Sequence, residues 1–147
     1  MVVEVRRTRS SDEDAVIQLI KQLIRERMPA EQEARAVFRE LLAGERGLVL
    51  VATLDEAIVG VISVSYNPAM RYGGPYAQIE ELIVNEAARG QQAGAALVRA
   101  AIAEAQAHGC REMGLYPIRG NEAFYAKFGF AEVGVEMRMP LSREVAK

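Results

Sequence analysis

The sequence predicts one α/β domain in which helices flank a mixed, mostly antiparallel central sheet. The length of 147 residues suits a single compact domain with its own hydrophobic core. Half of the residues are hydrophobic and 26% are charged, which is the balance of an ordinary globular protein. Strand and helix patterns alternate in the order β-α-α-β-β-β-α-β-α-β-β, a mixture that favours a sheet covered by helices. We therefore expect residues 1–147 to form one domain.

The first third of the chain predicts one strand and two helices. Apolar and charged residues alternate over 3–6, which is typical of a half-buried strand. Serines and acidic residues over 10–14 suit a helix start, and the apolar residues of 16–24 recur at spacings of three and four. A second helix is predicted over about 31–43. It would end at Gly44, a residue type that accepts a left-handed helix terminus.

The middle of the chain predicts three strands. Residues 48–54 and 58–66 are rich in β-branched and aliphatic residues, and the short polar link between them indicates a hairpin. Prolines and glycines over 67–75 predict a loop. Residues 76–84 then predict a further strand rich in Ile, Leu and Val.

The last third predicts a long helix followed by shorter elements. An alanine-rich segment over about 93–108 has a buried stripe at helical spacing. A strand is predicted near 113–116 and a short helix over 121–128. Alternating apolar residues over 133–135 and 137–139 predict a final pair of strands.

Composition argues against several classes of function. A formal net charge of −2 provides no basic field for nucleic acid. One cysteine and one histidine cannot assemble a zinc-type ligand set, so we expect no metal. No apolar run approaches the about 18 residues of a membrane-spanning helix, and the N-terminus does not resemble a signal sequence. We therefore expect a cytoplasmic enzyme without nucleic-acid or membrane partners.

The most informative stretch is 79–97, which predicts a strand, a turn, a glycine loop and a helix. The first backbone N–H groups of a helix have no internal partners and the helix dipole adds positive charge, so a pyrophosphate can bind there. Gly90 and Gly94 remove side chains where phosphate oxygens would approach, and Arg89 adds a positive charge. A tight strand-to-helix connection without a ligand explains the same glycines. The glycine spacing fits neither a P-loop nor a dinucleotide fingerprint.

Two segments resemble motifs of the GNAT acetyltransferase superfamily. Residues 84–97 resemble its coenzyme A loop, Arg/Gln-x-x-Gly-x-Gly/Ala, with Arg89 and Gly94 matching and Gln92 standing at the first glycine position. Residues 121–130 resemble, in shortened form, its Asn-x-x-Ala-x-x-Phe-Tyr-x-x-x-Gly-Phe region. Two motifs in the correct order are far more specific than either alone.

The resemblance covers roughly 76–141 and is most similar, within the superfamily, to glucosamine-6-phosphate N-acetyltransferases. It implies a GNAT-like fold and direct transfer of an acetyl group from acetyl-coenzyme A to a primary amine in a ternary complex. It also implies a bulge in the strand before the loop. The cofactor contacts that it implies are Leu82, Ile83, Val84, Arg89, Gly90, Gln91, Gln92, Ala93, Gly94, Ala95, Asn121, Phe124, Tyr125 and Lys127.

Some of these contacts have a simpler explanation. Asn121 would cap its helix whether or not it also contacts the coenzyme. Lys127 is more simply explained as a solvated helix residue than as a contact to a cofactor phosphate.

Acetyl transfer needs an acid for the departing thiolate, and Tyr125 is the candidate. A phenol with a pKa of about 10 is reasonably matched to an alkyl thiolate, and this position resembles the general acid of the family. The alternative is a half-buried tyrosine bonded to a backbone carbonyl.

Glu80 and Glu81 are the candidates for the base that deprotonates the incoming amine. In a regular strand, adjacent side chains point to opposite sheet faces, so one carboxylate would face a cleft. A carboxylate there has a raised pKa and can accept a proton through water, with Glu80 preferred and Glu81 in reserve. The alternative is that both lie at an exposed strand end or pair with arginines.

Three functions remain open from the sequence. The first is an N-acetyltransferase of a small-molecule amine such as an amino sugar. The second is a protein or peptide N-acetyltransferase, and the third is a non-catalytic acyl-coenzyme A binding module. If the acceptor is a sugar phosphate, at least two arginines should converge on it, from the set Arg25, Arg27, Arg71 and Arg119. The apolar terminal strands could also pair with a second copy in a homodimer.

Overall fold

The computed structural model describes residues 2–23, 30–90, 92–118 and 120–141. It divides into two compact units, Met1–Tyr116 and Pro117–Lys147. The prediction that 1–147 form one domain stays a prediction. Several residues of the sequence analysis lie outside the described ranges, namely Ile24, Arg25, Arg27, Gln91 and Arg119.

The described residues of the first unit form five strands and three helices. Their bounds are β1 Val3–Arg7, α1 Glu13–Leu23, α2 Glu31–Leu41, β2 Gly47–Leu54, β3 Ala57–Ala69, β4 Gly74–Val84, α3 Ala93–Ala107 and β5 Met113–Gly114. Short 3-10 helices lie at Ser10–Asp12, Met70–Tyr72 and Glu86–Ala88. Gly44 follows α2 with a φ of 79°, as a left-handed helix terminus requires.

The sheet has the order β1-β2-β3-β4-β5. Strands β1 to β4 are each antiparallel to the next in this series, and β5 runs parallel to β4. The predicted fold class, a mixed and mostly antiparallel sheet with flanking helices, is confirmed. The hairpin between β2 and β3 is also confirmed, and its turn places Asp55 and Glu56 at φ values of 50° and 68°. Two left-handed residues give a turn whose twist matches that of the strands.

The loop predicted over 67–75 is largely strand, so that prediction is wrong. Pairing between β3 and β4 continues to Ala69 and Gly74, and only the four residues 70–73 between them lie outside it. Pro68 and Pro75 lie opposite each other, so both missing N–H groups fall at one place in the ladder. The breaker residues therefore mark the end of a long hairpin.

Helices cover both faces of the sheet. On one face, α1 and α2 pack on β2 and β3 in a core cluster formed by Val16, Leu19, Phe38, Val49, Val51 and Val61. On the other face, α3 approaches β3 so closely that a side chain at Gly60 would come within 3.1 Å of Leu97. Val61 of β3 lies on the sheet face that α1 and α2 cover, here called the α1–α2 face. Because strand side chains alternate, Ser63 and Ser65 lie on the same face.

The second unit contains α4, Glu122–Ala126, and an irregular segment that follows it. The strands predicted over 133–135 and 137–139 are not formed, so that prediction is wrong. Their apolar side chains are 75–94% exposed. Alternation reports only a preference for extended backbone, and a strand also needs a neighbour with which to exchange hydrogen bonds. None of the described residues pairs with this segment.

Two absences hold for the described ranges. No helix there is long and apolar enough to cross a membrane. No group of three or more histidine, cysteine, aspartate or glutamate residues is placed there to hold a metal ion.

Candidate functional site

The turn between β4 and α3 is anchored where β4 ends. The N–H of Asn85 donates to the carbonyl of Val59 at 2.7 Å, which ties the end of β4 to the preceding hairpin. The side chain of Asn85 accepts a hydrogen bond from the N–H of Ala87 at 3.2 Å. Ala88 is buried and holds the turn against the first unit. The start of α3 is therefore set by local contacts.

The start of α3 can receive an anion. Gly90 and Gln92 have φ values of 89° and 63°, which turn the chain sharply into the helix. The Gln92 side chain makes no capping bond, and the first turn of α3 contains no acidic residue. Backbone N–H groups at the start of a helix have no partners within it, and its dipole favours negative charge there. The exposed Arg89 adds a fixed positive charge beside this turn.

The structure therefore places six of the predicted cofactor contacts in one short stretch. They are Arg89, Gly90, Gln92, Ala93, Gly94 and Ala95. The strained position is Gln92, where a non-glycine residue adopts the left-handed region that the family pattern fills with glycine.

The edge of β4 opens beside this turn. Leu82, Ile83 and Val84 pair with β3 in regular register. On the other side, β5 pairs with β4 only at Ala77 and Gln78. Within the described residues, the part of β4 that follows therefore has no second strand neighbour. Backbone groups on that edge are available to an extended ligand.

β4 contains a bulge at Glu80. Ser63 of β3 pairs with Glu81, and the next β3 residue, Val64, pairs with Ile79, so Glu80 is the extra residue. The bulge lies upstream of 82–84, whose backbone groups remain in the ladder with β3. It changes where the side chains of the two glutamates point.

Both carboxylates lie on the same face of the sheet, so the expectation of opposite faces is wrong. Ser63 donates a short hydrogen bond to the Glu81 carboxylate. Ser65 donates to Glu80 at 2.7 Å. The two serines are two apart on β3 and share the α1–α2 face. The physical reason is the bulge, because an extra residue cancels the alternation between neighbours.

The two carboxylates differ in their surroundings. Glu81 is half-buried, and burial raises the pKa of its carboxyl; the hydrogen bond from Ser63 lowers it and the charge of Glu80 raises it further. Glu80 is exposed. Both carboxylates have serine hydroxyls as partners, so the arginine pairs of the alternative interpretation are not formed among the described residues.

Ser63 and Ser65 were not identified from the sequence, although a signal was present. Residues 61–65 read Val-Ile-Ser-Val-Ser, so two hydroxyls occur at strand spacing inside an otherwise apolar run. Polar residues on the buried face of a strand need partners, and glutamates on the neighbouring strand can provide them.

In the second unit, Tyr125 lies in an aromatic cluster. Its ring centroid is 5.0 Å from that of Phe124 and 6.1 Å from that of Phe130, both edge-on. Phe124 also packs edge-on against Phe128 at 5.3 Å. Tyr125 is 9% exposed, and burial raises the pKa of its phenol. Among the described residues, its hydroxyl has no hydrogen-bond partner, which departs from the interpretation of a tyrosine bonded to a backbone carbonyl.

The remaining predicted contacts lie at the two ends of α4. Asn121 occupies the N-cap position but makes no side-chain capping bond, so the simple capping interpretation is wrong. Its carbonyl accepts hydrogen bonds from the N–H groups of Phe124 and Tyr125 at 3.1 and 3.4 Å. Lys127 follows α4 and is exposed.

Arg71 is the one predicted anion binder within the described ranges. Its guanidinium carbon lies 4.5 Å from the Tyr72 ring centroid and 5.3 Å from that of Tyr76. It is therefore stacked on aromatic rings at the end of the β3–β4 hairpin. The predicted convergence of two arginines stays a prediction.

Comparison with known proteins provides independent information. Residues 17–130 match the sequence profile described as the acetyltransferase (GNAT) family. The chain is 32% identical over 143 residues to a probable glucosamine 6-phosphate N-acetyltransferase 2 of Oryza sativa subsp. japonica. That match covers 92% of this chain and 86% of the rice protein.

Two solved structures are similar in fold. Glucosamine-6-phosphate N-acetyltransferase of Arabidopsis thaliana superposes with a TM-score of 0.82 at 22% identity, covering 97% of this chain and 100% of the other. A predicted acetyltransferase of Clostridium acetobutylicum, solved with acetyl-CoA, superposes with a TM-score of 0.78 at 16% identity. That match covers 95% of this chain and 97% of the Clostridium chain.

Proposed function

Because the chain belongs to the GNAT acetyltransferase family and is therefore an acyltransferase, we propose that it acetylates a primary amine of a small molecule. The donor is acetyl-coenzyme A, and transfer is direct within a ternary complex. The observation that carries this proposal is the start of α3, which is uncapped, free of acidic residues and flanked by Arg89. That arrangement suits the pyrophosphate of coenzyme A.

The pantetheine arm would extend from this turn along the open edge of β4. Residues 82–84 present backbone groups to that edge, and an extended ligand can bond them as an added strand would. On the family resemblance of 121–130, we also propose Asn121, Phe124 and Lys127 as cofactor contacts. The thioester carbonyl would then lie near the bulge at Glu80, where the sheet face carries both carboxylates.

We propose Glu81 as the base, in preference to Glu80. An ammonium must lose one proton before its nitrogen can attack the thioester carbonyl, and a carboxyl with a raised pKa takes up that proton more readily. A second proton leaves the nitrogen as the tetrahedral intermediate collapses. The thiolate gains one proton from Tyr125, so the products are the amide, free thiol and one proton released overall.

The acceptor class follows from the rice relative, whose name states glucosamine 6-phosphate as the substrate. Similarity over 92% of this chain supports an amino sugar or a comparable small amine. A peptide amine would be deprotonated by the same carboxylates before its acetylation. A binding module would bind acetyl-coenzyme A at the turn between β4 and α3 but would release no thiol. These two alternatives are outcomes of the test below.

The test measures thiol release from acetyl-coenzyme A with a panel of amines. We expect turnover with glucosamine 6-phosphate to exceed that with glucosamine, the matched acceptor without phosphate. Faster turnover with a lysine peptide would favour the second function. No thiol release with any amine, together with measurable binding of acetyl-coenzyme A by calorimetry, would favour the binding module.

We also propose a homodimer. Five apolar side chains of the second unit are 75–94% exposed: Val133, Val135, Met137, Met139 and Leu141. Large exposed apolar side chains that lie together in one segment are a common contact between copies. Light scattering after size exclusion should give twice the monomer mass, and Val135→Lys with Met137→Lys should give the monomer. A cytoplasmic location and the absence of nucleic-acid and membrane partners stay predictions.

A further inference from the structure

Ser63 contacts Glu81 in two ways. Its hydroxyl oxygen accepts a hydrogen bond from the backbone N–H of Glu81 at 3.1 Å. The same hydroxyl donates its proton to the Glu81 carboxylate. One side chain on β3 thus binds both the main chain and the side chain of the residue opposite it in the register. A two-point contact restricts the glutamate far more than a single bond would.

The bulge explains why this contact exists. An extra residue interrupts the ladder between β3 and β4 and separates some N–H groups from their carbonyl partners. Ser63 is 5% exposed and accepts the N–H of Glu81 at this interruption. The hydroxyl proton of Ser63 is then donated to the carboxylate of Glu81.

The contact leaves one carboxylate oxygen available. Ser63 donates to Oε1 of Glu81, and within the described residues no side chain or backbone group donates to Oε2. Proton uptake needs one free oxygen on a carboxylate whose position is fixed. Glu81 meets this requirement.

We propose that Ser63 is a positioning residue for acetyl transfer, holding Glu81 ionised and oriented on the α1–α2 face so that Oε2 receives the proton of the acceptor ammonium. This inference rests on the proposed function. Ser63 itself touches neither substrate nor cofactor, because its hydroxyl is occupied by Glu81.

The charged surroundings of Glu81 are limited. Glu80, beside it on β4, is the charged group that raises its pKa. The elements packed against β4 carry other charged or titratable residues, namely Glu13, Asp14 and Lys21 of α1, Tyr66 of β3, Arg71 and Tyr72 of the 3-10 helix, and Arg99 and Glu104 of α3.

Most of these groups are committed elsewhere. The three charged residues of α1 form ion pairs with α2. Glu104 pairs with Arg7, and Tyr66 stacks on His108. Ser63 is therefore the group whose hydrogen bond lowers the pKa of Glu81 against burial and the charge of Glu80.

The test compares Ser63→Ala with Ser65→Ala. Both substitutions remove a serine hydroxyl from the same strand and the same face, but only the first hydroxyl binds Glu81. Loss of the Ser63 bond destabilises the ionised carboxylate, so the pKa of Glu81 should rise by about one unit. The acidic limb of the kcat/KM profile should move to higher pH by the same amount. In S65A that limb should stay at its wild-type position.

Two measurements are made on the full chain. The pKa of Glu81 is read by carbon-13 NMR of the carboxyl groups, which requires no turnover. The kinetic profile is read with acetyl-coenzyme A and glucosamine 6-phosphate, where S63A should lower kcat about tenfold at pH values above the acidic limb, because the Glu81 carboxylate loses its fixed orientation. The KM for acetyl-coenzyme A should be unchanged. Ser63→Thr, which retains the hydroxyl, should restore the wild-type limb.

A double substitution tests whether Ser63 acts through Glu81. In the Glu81→Gln background, S63A should have no further effect on kcat. Should S63A fail to fold by circular dichroism, Ser63→Cys, a weaker donor of similar size, replaces it with the same expected sign.

The outcomes separate this inference from the proposed function. If the wild-type chain turns over but the NMR pKa and acidic limb do not move in S63A, the inference is wrong and the proposed function stands. An additive loss in the double variant would also overturn it. If the wild-type chain releases no thiol with any amine, the proposed function is wrong, and the positioning role falls with it.

Discussion

Two glutamates in the first unit experience opposite environments. Glu13, at the start of α1, accepts hydrogen bonds from Arg39 at 2.8 Å and Arg35 at 2.7 Å. These two arginines lower the pKa of its carboxyl to about 2. Glu81 of β4 has the neutral hydroxyl of Ser63 as its partner, and burial raises its pKa. The ionised carboxylate is thus stabilised by opposite charge at Glu13, whereas at Glu81 burial disfavours the ionised form against the hydrogen bond from Ser63.

The difference separates a carboxylate in a structural ion pair from the carboxylate that we propose as the base. A carboxylate held by two guanidinium groups does not exchange protons near neutral pH, because ionisation is stabilised by opposite charge. A half-buried carboxylate with a single neutral donor can accept a proton closer to the working pH. Partner chemistry therefore distinguishes the two sites where residue identity does not.

The largest expected effect comes from removing the carboxylate of the proposed base. Glu81→Gln should lower kcat by about 10²- to 10⁴-fold near neutral pH, since general-base catalysis is lost. Glu13→Gln, the matched substitution in the structural site, should leave kcat unchanged. Steady-state thiol release measures both. A large loss in Glu80→Gln with none in E81Q would assign the base to Glu80.

The comparison extends to Tyr125, because burial also raises the pKa of its phenol. A raised pKa keeps the Tyr125 phenol protonated near neutral pH, so that it can donate a proton. At Glu81 a raised pKa makes the carboxylate a better proton acceptor. Tyr125→Phe should lower kcat about 10²-fold with little change in the KM for acetyl-coenzyme A. Single-turnover thiol release provides the measurement. Unchanged turnover would remove Tyr125 as the acid.

Two arginines of the first unit also differ in their partners. Arg39 is bound in the structural ion pair with Glu13, whereas Arg89 stands at the uncapped start of α3. Arg89→Ala should raise the KM for acetyl-coenzyme A about tenfold with kcat nearly unchanged, because a contact to a bound phosphate is lost. Arg39→Ala should leave that KM unchanged. Equal effects of the two substitutions would contradict an anion site at this turn.

The smallest expected effect is on stability in acid. The folded-state pKa of Glu13, about 2, lies below its ordinary value of 4.5. Its ion pairs therefore stabilise the fold above pH 4.5, and this contribution disappears as the pH falls toward 2. Urea unfolding should show wild type more stable than E13Q at pH 6, with the difference vanishing in acid. A difference that is independent of pH would show that the ion pairs do not contribute in this way.

Local patterns in the sequence were sufficient to locate most elements. The apolar spacing of 93–108 predicted α3, and the polar link 55–57 predicted the β2–β3 hairpin, because both features arise within one short segment. Family motifs at 84–97 and 121–130 likewise depend on contiguous residues. The resemblance they indicated is confirmed by the family match over 17–130.

Predictions that involve two segments were less successful. The alternation in 133–139 is genuine, but no strand forms there in the described structure, because a strand also needs a partner in space. The prolines of 67–75 were read as loop signals, yet Pro68 and Pro75 lie opposite each other in a hairpin. In both cases the outcome depends on what the segment pairs with.

Residue order alone therefore determined the helices, the β2–β3 hairpin, the turn between β4 and α3, and the family. The tertiary structure decided which carboxylate is buried, which face both carboxylates share, and that Ser63 and Ser65 hold them. The physical reason is that a bulge is a mismatch in length between two paired strands. Neither β3 nor β4 contains that mismatch by itself, so it arises only when the two strands are brought together.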